Sequence, residues 1–99
     1  MFGTGTLATW QLIGSAEGFH LLPRDILVVD LSRLPDPGDL ALVQVFDDDT
    51  ATAVTVLRRY LPPWLCPHDL QQPMMRVDDA RVTVKHPVVG TIRKWMDKS

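Results

Sequence analysis

The sequence predicts a mainly β domain, built as a small, partly open barrel or folded-over sheet. Three observations carry that expectation. Apolar runs rich in β-branched residues recur at short spacing: "ILVV" at 26–29, "ALVQV" at 41–45, "TAVTVL" at 52–57 and "VTV" at 82–84. Clusters of Pro, Gly and Asp separate these runs and supply turn chemistry. No stretch of the chain requires a helix.

Taken in order, "MFGTGT" at 1–6 is a flexible lead, because its "GTGT" lacks the lysine, the preceding strand and the following helix of a phosphate loop. "LATWQLIGSAEGF" at 7–19 suits a strand over 9–13 and one short turn over 15–18. The polar knuckle Pro23-Arg24-Asp25 turns the chain into a strand over 25–31, whose continuous apolar run suits cover on both faces. "SRLPDPGDL" at 32–40 holds two prolines and Gly38, so it is a tight loop. A strand over 39–46, an acidic tip "DDDT" at 47–50 and a strand over 50–60 form an antiparallel hairpin. "PPWLCPHDLQQP" at 62–73 is an irregular excursion punctuated by prolines, long enough to imply that it covers something. Two short β runs, 82–85 and 88–95, close the chain, broken by Pro87, which belongs at an edge, bend or bulge.

Composition bounds the function. With 99 residues, 45% of them apolar and 22% charged, the chain reads as a single globular domain over 1–99 with a thin core, which makes self-association plausible. A formal net charge of −2 offers no cationic excess for a phosphate backbone, so this segment does not bind nucleic acid by itself. The lone Cys66 cannot form an internal disulfide and no signal core leads the chain, so a cytoplasmic protein is expected, with no membrane span.

Each candidate chemical group has a plainer reading. "CPHD" at 66–69 brings a thiol, an imidazole and a carboxylate together, yet no second cluster completes a metal site, and neither a metal nor a cofactor is expected. Asp47, Asp48 and Asp49 lack the glycine and downstream glutamate of a calcium loop and read as a solvated hairpin end. His20 and His86 each stand alone beside apolar residues.

The order of these features resembles the LexA-like and phage-repressor carboxy-terminal domains. "LLPRDILVVDLSRLPDPGDLALVQV" is similar to that family's core, where a "PGD" turn opens an apolar strand; "VTVLRR" is similar to its "VTVKRL" strand and "HPVVGTIRKW" to its closing strand. The likeness runs from about Leu12 to Trp95. It implies an all-β, partly open barrel that dimerises near its last strand. In self-cleaving members a serine ten residues before the Asp of the first turn is the nucleophile, and a lysine in the "VTVK" strand is its base. Here the first position is Ser15, in "IGSAE", and the base position is Leu57, which cannot accept a proton. Arg58 beside it stays protonated and points to the opposite face, and Lys85 lies in the wrong segment.

The resemblance therefore implies a non-catalytic member: the dimerisation and regulatory domain of a phage- or prophage-type repressor, without the Ser/Lys self-cleavage dyad. Its partner is itself, as a homodimer, and DNA is reached only through an upstream helix-turn-helix domain that this chain does not contain. Val89, Thr91, Arg93 and Trp95 on one face of the last strand are the expected dimer contacts, with Trp95 as a cap on the monomer's own core as the alternative. Two other functions stay open: a self-cleaving serine peptidase that uses Ser15 and an unrecognised base, and a stand-alone module that binds another repressor.

Overall fold

The computed structural model describes residues 6–14 and 16–93. Among them the chain forms strands β1 (Leu7–Gln11), β2 (Ile26–Asp30), β3 (Leu40–Asp47), β4 (Thr52–Leu61), β5 (Trp64–Cys66), β6 (Met75–Arg76) and β7 (Val82–Ile92), with one 3-10 turn at Glu17–Phe19. All strands belong to one antiparallel sheet in the order β1-β2-β7-β3-β4-β5-β6. The domain is mainly β, and the sheet is partly open because β1 and β6 end it without pairing to each other. No helix among the described residues is long and apolar enough to cross a membrane.

The last strand folds the sheet. Residues of β7 before Pro87 pair with β3, from Val45↔Val82 to Ala41↔Pro87, whereas Val88 to Ile92 pair with β2. The register slips by one residue on each side of the proline: three positions of β3, Ala41 to Val43, face four of β7, Val84 to Pro87, and Val89 is left over between Val29↔Val88 and Val28↔Gly90. Bulges raise the local twist and bend the strand that carries them. One strand can thereby serve two half-sheets. The expected break at Pro87 is therefore a bulged bend inside a continuous strand, because a proline is tolerated where the ladder is already interrupted.

Two small cores follow from the alternation of side chains. Leu27 packs with Ala16 and Leu21, joined by Leu12, Phe19, Leu57 and Val88. Val43, Leu65 and Val82 form the second core, with Val56, Tyr60 and Met75 against them. Leu42 pairs with Leu57 and its neighbour Val43 with Val56, so adjacent buried residues of β3 serve opposite faces. The hairpin β3–β4 is thus the shared wall between the cores.

The strands expected at 25–31, 39–46 and 50–60 appear with shifts of one or two residues at their ends. The "PGD" loop is a turn with Gly38 at φ +96°, a conformation suited to glycine, and the Gly38 N–H donates to the Tyr60 carbonyl at 2.7 Å. Three expectations are corrected. The first strand starts at Leu7 rather than residue 9, and Thr6 already accepts a bond from the Leu31 N–H at 2.6 Å, so the lead does not extend through residue 6. The stretch 62–73 is not wholly irregular: Pro62 and Pro63 make a two-residue reversal that lays β5 against β4, and Leu65 then pairs with Met75. Prolines suit such a reversal, since they need no donor there, and burial of Leu65 rewards the pairing. The third is the two-piece closing strand, described above.

Candidate functional site

The Pro23-Arg24-Asp25 corner is a structural joint. Arg24 has φ +73°, the left-handed region that a side chain adopts at some cost. Neighbouring backbone holds it there: Arg24 N–H donates to the Leu12 carbonyl and Leu12 N–H to that of Asp25. Asp25, only 1% exposed, accepts from the Leu22 N–H at 2.9 Å and from Arg93 Nε and Nη2 at 3.0 and 2.9 Å. The Arg93 hydrogen bonds, then the Leu22 amide, hold the Asp25 carboxyl below its ordinary value against the opposing effect of burial. Arg93 also donates to the His20 carbonyl, so this expected dimer contact already has intramolecular partners.

Beyond the corner lies an open, largely apolar cleft of about 440 Å³. One wall is the segment from Trp10 to Gly14 together with Ala16; the other is β4 from Thr55 to Arg58; Leu27 and Leu42 line it as well, and His68 and Gln72 complete the lining. Position 15 lies outside the described residues, but Gly14 and Ala16, its neighbours, line this cleft, and so does Leu57. Leu57 is packed on the Ala16, Leu21 and Leu27 cluster. The position at which the resemblance calls for a base holds a hydrocarbon side chain seated in a core.

The loop after β5 closes one end. A Cβ on Gly18 would run into the His68 carbonyl, so only a glycine lets the two backbones meet there. The His68 ring meets Phe19 edge-on with centroids 5.8 Å apart, and the Arg59 guanidinium lies over the Phe19 ring, 5.3 Å from its centroid. The excursion expected to cover something covers the 16–19 turn. His68 is the one imidazole among the described residues that line the cleft.

Arg58 stands apart from the other cations. It is 8% exposed, and among the described residues its Nε has no hydrogen-bond partner and its one bond runs from Nη1 to the Leu57 carbonyl at 2.8 Å. Burial draws its pKa down from the ordinary arginine value. Backbone alternation explains the pose. Tyr60 directs its N–H and C=O to the 38–39 turn beside β3, so Arg58 faces β3 likewise and the Leu57 carbonyl faces the other way. On that side β5 pairs only with Arg59 to Leu61, which leaves the β4 edge at Leu57 open. The Arg58 side chain, on the face of Val56 and Tyr60, bends around this open edge to reach the carbonyl. Sequence reasoning placed Arg58 opposite Leu57, as found, but missed its burial; the signal was its place between Val56 and Tyr60 in the alternation.

The remaining expected residues scatter. Val89 and Thr91 are exposed on β7, Thr91 opposite Leu27 and Val89 as the bulge residue, while Trp95 lies outside the described residues. Lys85 does not line the cleft. His86 Nδ1 lies 3.1 Å from the Arg33 carbonyl. Asp47 accepts from the Asp49 N–H within the hairpin tip. Among the described residues no three of His, Cys, Asp and Glu come together as a metal site, and Cys66 is a half-buried free thiol. No protein-family model matches the chain, and no curated protein matches it.

Proposed function

We propose that this chain is a non-catalytic self-association domain, the regulatory and dimerisation part of a phage-type repressor of the LexA-like kind. The observation that carries the proposal is Leu57: the side chain at the base position is a hydrocarbon packed against the core beside the cleft, with no atom that can take a proton from a serine. Assembly is then the role left to the domain. The closing strand supports it, since Val89 and Ile92 are each about half exposed, at 46% and 52%, on a strand whose neighbours Ile26 and Val28 are only partly covered. DNA binding belongs to a helix-turn-helix domain upstream, with the dimer coupling two half-sites.

Val89→Asp tests the contact. As the unpaired residue of a bulge, Val89 can change without breaking a ladder pair, so the variant is expected to keep its circular dichroism and melting midpoint and to raise the dimer dissociation constant at least tenfold, about 1.4 kcal/mol. An unchanged dissociation constant would move the interface elsewhere.

The peptidase reading has one observation in its favour, His68 in the lining of the same cleft as Gly14 and Ala16. Incubation of the protein at mildly alkaline pH separates the two. The chain is expected to stay intact by mass spectrometry over days. Fragments that disappear in both Ser15→Ala and His68→Ala would establish a serine peptidase and remove the non-catalytic reading.

A further inference from the structure

A buried guanidinium with an unused donor edge, beside an apolar cleft, has a definite chemical complement. Arg58 spends Nη1 on the Leu57 carbonyl, and among the described residues neither Nε nor Nη2 meets an acceptor, nor does a carboxylate come within ion-pair distance. Among the described residues the cleft lining adds no negative charge: its polar members besides Arg58 are Gln11, Thr55, His68 and Gln72. Its apolar members, Trp10, Leu12, Ile13, Leu27, Leu42 and Leu57, offer a surface for a hydrocarbon or aromatic body. The volume of about 440 Å³ falls in the range of small-molecule sites, about 300–1,000 Å³.

We propose that this cleft binds a small monocarboxylic acid with an apolar body, its carboxylate held by Arg58 and its body laid along Trp10, Leu12 and Leu57. The charge argument selects the occupant. A guanidinium nitrogen kept from water without a partner, as Nε is, is costly, and a carboxylate that meets Nη2 and, after a small rotation of the side chain, Nε forms the two-bond fork for which arginine is suited. A neutral apolar ligand would leave that cost in place, and a dicarboxylate would bury a second charge against leucines. The site is independent of the self-association proposal, because no described residue of the closing strand lines the cleft.

Titration calorimetry of the intact chain with octanoate, with octanol, and with a short apolar peptide carrying a free carboxy terminus tests the assignment. Octanoate is expected to bind saturably with a dissociation constant below the millimolar range, octanol at least tenfold more weakly, and the Trp10 fluorescence to change with octanoate. Arg58→Met is expected to weaken octanoate tenfold to a hundredfold, as loss of charge-assisted bonds does, and Arg58→Lys to fall between, since it keeps the charge without the fork. Thr55→Trp, at an exposed position of the lining, fills the cleft while leaving Arg58 in place and is expected to abolish binding; it serves if Arg58→Met does not fold. Equal affinity for octanol and octanoate, no saturable octanoate binding, or binding of the peptide alone would each overturn the proposal.

Discussion

Replacing Asp25 with alanine is expected to lower the melting midpoint by about 10 °C or more, because it strips a buried joint of its acceptor. Three donors converge on this carboxylate: the Leu22 amide from its own turn, and Nε and Nη2 of Arg93 from the far end of the chain. The pair therefore ties the 20–25 corner to the residue just after β7 and so closes the half-sheet of β1, β2 and β7. Alanine would leave the Leu22 amide without its acceptor and release Arg93, whose side chain is 53% exposed and can return to water. The buried side of the joint carries the loss, and Asp25→Asn, which keeps an acceptor but no charge, is expected to fall between.

Acid should expose the same joint. The folded-state pKa of Asp25 is depressed by Arg93 and by the Leu22 amide, so its stabilisation is fully present above the carboxylate's unfolded value near 3.8 and fades as pH falls through the lower folded value. The parent is expected to lose stability below about pH 4 more steeply than Asp25→Asn. Parallel acid dependence in urea titrations of the two proteins would show that Asp25 is not the group responsible.

Leu65→Ala is expected to cost about 2–5 kcal/mol, lowering the urea midpoint without a change in slope. Leu65 is fully buried, in a cluster with Val43 and Val82, and it bridges β4 to β6 through Tyr60 and Met75. A domain of 99 residues with two small cores has little spare packing, so a cavity here removes a large share of its net stability. Leu61→Ala, on the same hairpin but exposed, is the matched control and should stay near the parent. A loss below about 1 kcal/mol for Leu65→Ala would mean that the β5 and β6 extension is not part of the cooperative unit.

Much of this fold is legible in the chain because local chemistry and burial agree. "ILVVD" has the residues of a strand and pairs on both edges, although the expected cover on both faces is corrected: Leu27 and Val29 are buried while Ile26 and Val28 on the other face are only partly so; Asp36-Pro37-Gly38-Asp39 carries the residues its turn demands. Asp25 could be read as a partner for local amides, and the Leu22 N–H is one. Where long-range contact decides, the reading fails. Nothing local to Trp64-Leu65-Cys66 outweighs four nearby prolines; the strand exists because β4 offers an open edge and the core a place for Leu65. Arg93 read as a surface contact because its partner lies 68 positions earlier. The cleft shows the same limit. Leu57 and position 15 could be paired through a resemblance, whereas the seat of Arg58 depends on how far β5 extends along β4, a fact of topology.

Self-association is the claim on which the functional reading stands, and sedimentation equilibrium of the chain over a wide concentration range tests it most directly. A reversible equilibrium between 11.1 kDa and twice that mass is the expected result, with Val89→Asp displaced toward monomer. A single species of monomer mass up to the highest concentration would contradict it.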